Sequence, residues 1–237
     1  MTNPILSQDG LYLIFRWIHF MVGIVWIGHL YYFNFTQGPF FAETDAQSKS
    51  AAIRKLVPRA LWWFRWGAAF TFFSGLIMLW YKAKMSGPGG HEIYTTTSWG
   101  IWIMIGAALG TLMAANVWFI IWPAQKVVIA SANAVANGGT ADPTAAAHAA
   151  RAGVASRTNV LFSIPMLFFM GAASHLPFAL NPETSLKPLA AAITAILLLL
   201  EINAIKGKTG PMTSIAGVIH CGLALTVVLY FAVCFLV

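Results

Sequence analysis

Apolar positions in this chain do not alternate with polar ones. They run in long blocks separated by short polar stretches, and several blocks approach or exceed the roughly 20 residues a helix needs to cross a bilayer. Six spans are predicted, over about 11–35, 61–81, 99–122, 159–180, 189–204 and 214–237. Pro123 is expected to end the third, and Glu201 dilutes the fifth. Between spans three and four, an Ala-rich run followed by Asn137-Gly138-Gly139 and Asp142-Pro143 predicts a helical hairpin at about 124–156. There Gly breaks the first helix, and Asp with Pro caps and starts the second. Ser86-Gly87-Pro88-Gly89-Gly90 reads as a flexible loop. No internal repeat is visible. The predicted fold class is all-α: one polytopic transmembrane helix bundle, 1–237, with about six spans.

Composition supports this reading. Of 237 residues, 59% are hydrophobic and 9% charged, against about 25% charged in an ordinary soluble domain. The net charge of +7 does not point to nucleic acid, because the basic residues sit in loops between apolar spans. Ten of the 14 Lys and Arg fall in loops one, three and five, with Arg65 at the start of span two counted to loop one. The positive-inside rule then makes those loops and the hairpin cytoplasmic and both termini periplasmic. Trp62, Trp63, Trp66, Trp80, Trp99 and Trp122 lie near span ends, as an interfacial aromatic belt does. The N-terminus has neither the basic start nor the small-residue cleavage site of a signal peptide.

Ionisable residues inside apolar spans carry the candidate chemistry, because a bilayer is a costly place for them. Four histidines qualify. With alternating spans, His19 and His175 fall toward the outer face, and His29 and His220 toward the inner face. Two imidazoles at matched depth on different helices are the minimum for holding a haem iron from both sides. His19 and His175 are therefore the first candidate pair of axial ligands for a b-type haem. His29 and His220 form a second pair, although a ten-residue spacing turns His29 about 80° from His19 and sets it about 15 Å along the helix. The plainer alternative is four histidines that merely hydrogen-bond across helices. Arg16, one turn before His19, is placed either to meet a haem propionate or to snorkel to the interface. His91 and His148 fall in loops. Asn116 and Asn159 are expected to bond between helices, and the small residues Gly23, Gly28, Gly67, Gly75, Gly106 and Gly110 to serve helix packing.

Cys221 and Cys234, about 20 Å apart along one helix, cannot pair with each other. The absence of C-x-x-C-H excludes covalently attached c-type haem. No serine triad, phosphate loop or carboxylate pair speaks for soluble-type catalysis. No pair of Gly/Pro-broken spans suggests a transporter.

Four ordered blocks resemble one family: Arg16-Trp17-Ile18-His19 with Gly23–Gly28; Trp63–Ala69 with Ser74-Gly75; Asn116-Val117-Trp118 with Pro123 and Gln125; and Arg157-Thr158-Asn159 with Pro165, Leu167-Phe168 and Ser174-His175-Leu176-Pro177. Over about residues 11–180 the chain resembles the membrane domain of the bacterial cytochrome-c-linked urate oxidases (urate hydroxylases). It departs from the family pattern at His29, where a small residue is usual, and at Thr158, where a histidine is usual. No cytochrome c domain follows the last span of this sequence. The resemblance implies a membrane oxidoreductase in the bacterial inner membrane. It would pass electrons, with urate as the implied donor, to a separate periplasmic cytochrome c. The rival reading is a non-catalytic accessory subunit of a larger respiratory or photosynthetic complex.

Overall fold

A computed structural model of the chain describes residues 4–181 and 183–237. Among the described residues there are helices and no strand. The main helices are α1 (Gln8–Tyr31), α2 (Gly38–Glu43), α3 (Ala46–Lys55), α4 (Val57–Met85), α5 (Ile93–Thr96), α6 (Ser98–Ala115), α7 (Trp122–Ala136), α8 (Ala145–His175), α9 (Lys187–Lys206) and α10 (Ile215–Leu236). Their starts are set by short polar side chains. Ser7, Thr97 and Ser214 accept from Gly10, Gly100 and Gly217 N–H, and Asp45 accepts from Gln47 and Ser48 N–H. Each satisfies backbone donors that the first helical turn leaves free.

Two helices run further than the sequence predicts. Residues 8–43 form one rod of 36 residues and 98–136 one of 39, about 54 and 58 Å long against a hydrocarbon core of about 30 Å. Pro123 does not end the third span. It sits in the first turn of α7, just after a π-helical segment, Asn116–Ile121. Pro39 stands in the same relation to a π-helical segment at Tyr32–Gln37. A proline ring inside an α-helix collides with the carbonyl four residues back, and the wider π turn ahead of each ring makes room for it. Each π segment also carries one buried asparagine, Asn34 and Asn116.

Among the described residues, five helical stretches are long and apolar enough to cross a membrane. The predicted span 61–81 is helical within α4, and its 29 residues give it ample length. It is less apolar than the others, because tryptophans, Arg65 and the terminal Lys82 and Lys84 interrupt it. The fold is an all-α bundle built as a multi-pass membrane protein.

α8 is its hub, with buried residues from Ala152 to Ala172 and neighbours α6, α7, α9 and α10. α1 instead packs chiefly on α4 and fully buries only Trp26 and Leu30. The pair meets tightly at Gly67, where an added Cβ would lie 3.0 Å from the Trp26 backbone nitrogen. Gly106 plays the same part between α6 and α8, with Met170 Cγ 3.2 Å from a would-be Cβ. The packing role expected of the small residues holds at these contacts. At Gly28 and Gly110 a Cβ would meet nothing within 4 Å.

Between α7 and α8 the chain turns through Gly138 at φ +83°, a left-handed conformation that glycine adopts without steric cost. Asp142 accepts from the Thr144 N–H and hydroxyl, and α8 begins at Ala145. The helical break expected at Asn137–Gly139 is therefore present, with the second helix starting slightly later than the Asp142-Pro143 signal suggested.

Candidate functional site

His19 is half-buried in the middle of α1, facing α4. Its Nδ1 lies 3.1 Å from Ser74 Oγ. Ser74 has one hydroxyl hydrogen, and that hydrogen points to its own helix, with Phe70 O at 2.6 Å. Ser74 must then accept, so His19 Nδ1 carries the proton and donates. The Thr71 backbone offers the same ring a further hydrogen bond. Gly75 makes the fit possible: a Cβ there would stand 3.2 Å from His19 Cε1.

His29 reaches the same protonation pattern by another route. Its Nδ1 lies 2.7 Å from Val25 O, and a carbonyl can only accept. In both α1 histidines, then, Nδ1–H is committed and Nε2 is the nitrogen left for another partner. Metal-bound histidines characteristically donate their other ring N–H to an oxygen in this way, which fixes ring orientation.

The α8 and α10 histidines are placed differently. His175 is the last residue of α8 and is exposed, and His220 is exposed one turn into α10. Among the described residues neither side chain makes a hydrogen bond, and no hydrogen bond or ring contact joins His19 to His175 or His29 to His220. Nor is there a cluster of three or more His, Cys, Asp or Glu that could hold a metal ion. Arg16 is exposed and occupied locally. Its Nη2 donates to Tyr12 Oη at 3.3 Å, and its guanidinium lies 4.9 Å from that ring.

The second concentration of polar chemistry lies on α8. Ser156, Asn159 and Ser163 follow at spacings of three and four, which puts them on one face. Asn34 Nδ2 donates to Ser156 Oγ at 2.8 Å, Asn116 Nδ2 to Asn159 Oδ1 at 3.0 Å, and Tyr31 Oη lies 3.0 Å from Ser163 Oγ. Asn159 Nδ2 donates to Met113 O at 3.0 Å, which fixes the direction of its amide. The interhelical role expected of Asn116 and Asn159 is therefore present, and both are fully buried.

Sequence reasoning passed over Glu201 as a blemish in a short span. It is the terminus of this network. Asn116 Nδ2 also donates to Glu201 Oε2 at 3.1 Å, so the two amide hydrogens of Asn116 join α8 and α9. Asn116 Oδ1 is left buried without a partner. An acidic side chain within an apolar span was the available signal.

Arg65 sits at the basic end of α4, its guanidinium 4.0 Å from the Trp122 ring and its carbonyl accepting from Trp118 Nε1 at 3.1 Å. That stacking pins α4 to the α6–α7 rod.

A family model described as urate oxidase N-terminal matches residues 91–232. The chain belongs to this family. The matched segment contains Asn116, Arg157, Asn159, His175, Glu201 and His220, while His19 and His29 lie before it. No curated protein and no solved structure gives a match.

Proposed function

We propose that this urate-oxidase-related membrane protein holds haem b and relays electrons to a separate periplasmic cytochrome c, with urate as the donor. The supporting observation is the setting of His19. Ser74 meets its Nδ1 at 3.1 Å within an apolar helix and fixes the ring, which makes Nε2 the nitrogen an iron would take. On this reading His19 and His175 would hold the haem iron, His29 and His220 would hold a second one, and Arg16 would pair with a propionate. Bound haem supplies a one-electron relay. The protein's part is to orient the imidazoles, exclude water and set the electrostatic surroundings. The split of basic residues supports an orientation in the bacterial inner membrane with both termini periplasmic, on the side of a periplasmic acceptor.

The test is a reduced-minus-oxidised spectrum of the purified chain, with haem quantified per chain. His19→Ala and His175→Ala each remove or convert a low-spin haem, while His91→Ala and His148→Ala leave the spectrum intact. Full haem content and an unchanged low-spin spectrum in both His19→Ala and His175→Ala would defeat the ligand assignment. Membranes holding the haem-loaded chain and a cytochrome c should reduce the cytochrome when given urate. Background reduction there removes urate as donor and favours an accessory subunit.

A further inference from the structure

A cavity of about 590 Å³ opens at the basic end of the bundle. Its walls are the π segment and start of α2 (Phe33, Asn34, Gly38), one face of α8 (Gly153, Arg157), and the α9–α10 loop at Lys208. Arg157 Nη1 is shielded from solvent and has no hydrogen-bond partner. Arg157 is half-buried, and a ligand oxygen reaching this nitrogen would satisfy it. Lys208 adds a second positive charge, its loop held by Asn203 Nδ2 donating to Lys208 O at 3.1 Å. No acidic residue lines the cavity. At Gly153 a Cβ would meet nothing within 4 Å, so the space beside Arg157 is open.

A second cavity, of about 620 Å³, adjoins the first and shares Lys208 and Thr209 with it. Its character is different: Leu161, Leu200, Leu225 and Val228 line it, between α8, α9 and α10. Leu161 lies four residues after Arg157 on α8, so one helix face runs from the charged cavity to the apolar one in about 6 Å. A free inorganic anion uses the first cavity and has no use for the second. An apolar molecule uses the second and leaves Arg157 unsatisfied. The pair fits a molecule with an anionic head and a hydrocarbon tail.

We propose that the two cavities form one seat for an anionic lipid, with its phosphate against Arg157 and Lys208 and an acyl chain along the α8–α9–α10 trough. Arg meets phosphate oxygens through two parallel N–H bonds, and basic pockets between membrane helices suit acidic headgroups. A zwitterionic headgroup would set its own cation beside Arg157 and Lys208.

Native mass spectrometry of the full-length chain, released from micelles with equal phosphatidylglycerol and phosphatidylcholine, reads the preference. Two cationic side chains at roughly a factor of five each predict about thirtyfold preferential retention of phosphatidylglycerol. Arg157→Gln should cost roughly fivefold of that preference and Lys208→Gln, in an exposed loop that does not endanger folding, a similar factor. Gly153→Leu fills the head cavity and should remove the bound lipid. Val228→Trp, at an exposed trough position, should weaken retention without altering helical content by circular dichroism. Inorganic phosphate alone should give no thermal shift. Equal retention of the two lipids overturns the proposal, as does a preference untouched by both charge substitutions. A phosphate-induced shift that Arg157→Gln abolishes, together with lipid retention indifferent to Val228→Trp, overturns the lipid in favour of a soluble anion.

Discussion

Substituting Gly67 tests how α1 is held and, through it, how His19 is presented. An added Cβ would lie 3.0, 3.2 and 3.3 Å from Trp26 N, Cα and Cβ. Two of those atoms are backbone and cannot rotate aside, so α1 and α4 must part. For Ala the displacement is a few tenths of an ångström; for Leu it is larger, and the cost is that of an overpacked core, about 1–3 kcal/mol. α1 has little else to hold it, since Trp26 and Leu30 are its fully buried residues. The consequence reaches the candidate site. His19 lies two turns from Trp26 on the same helix, about 10 Å away, and its bond to Ser74 spans 3.1 Å. An opening of about 0.5 Å takes it past hydrogen-bond distance. Gly67→Leu should therefore lower stability in denaturant-induced unfolding followed by tryptophan fluorescence. Ring-nitrogen NMR should show His19 losing its fixed Nδ1–H tautomer. Gly28→Leu and Gly110→Leu, where a Cβ meets nothing within 4 Å, should change stability by less than about 0.5 kcal/mol. If Gly67→Leu is as stable as Gly28→Leu, or if the His19 tautomer survives it, the close-packed α1–α4 contact does not govern the site.

Asn159→Ala removes the bonds to Asn116 and to Met113 O. It should destabilise the bundle by about 1–3 kcal/mol in the same unfolding assay, and a loss below about 0.5 kcal/mol would show the network to be slack. Glu201→Gln keeps an acceptor for Asn116 Nδ2 and should leave stability nearly unchanged, whereas Glu201→Leu should cost about 1 kcal/mol; equal behaviour of the two would deny the Asn116–Glu201 bond. The Asp142 carboxyl is held below the usual carboxylate range by the Thr144 hydroxyl and N–H. A lowered folded-state value gives stability that is present above the ordinary carboxylate range and lost as pH falls through the lowered one. Amide exchange at Thr144 should accordingly rise at acid pH, and Thr144→Ala should move that rise to higher pH; exchange independent of pH would contradict the contact. A reporter active only in the cytoplasm, fused at Val237, should stay silent, and a strong signal would reverse the orientation.

Long apolar blocks were enough to find the bundle, because helix length against bilayer thickness is a one-dimensional criterion. Asn116 and Asn159 were legible for a similar reason: a buried amide must find a partner. What pairs with what was not legible. Nothing in the spacing of His19 shows that Ser74 would meet it, since that depends on how α1 and α4 rotate against each other. The depth argument for His19 and His175 used position along each span and was blind to the neighbours that each helix selects. Pro123 misled for a local reason: propensity treats proline as a terminator, and a π turn ahead of it cannot be read from residue preferences alone. Glu201 was visible but discounted, its charge counted against the span rather than toward a site. The lower apolarity of α4 follows from the tryptophans and Arg65 that stitch it to Trp118 and Trp122.

The two π segments have a consequence for counting. A π turn holds one residue more than the α turn it replaces, so each amounts to a single-residue insertion absorbed without breaking the rod. Removing one residue from 32–37 or from 116–121 would leave an ordinary helix of almost the same length. The wide turn would close to an ordinary α turn, and the side chains beyond it would keep their facing. Asn34 and Asn116, which now face Ser156 and Asn159, would lose their place, and the proline that follows would meet a full-strength α turn. The extra residue in each rod thus sets the shape of one turn, independently of length and apolarity. A shortened chain could insert and pack beyond the cut as before, yet lose its asparagine bond and crowd its proline.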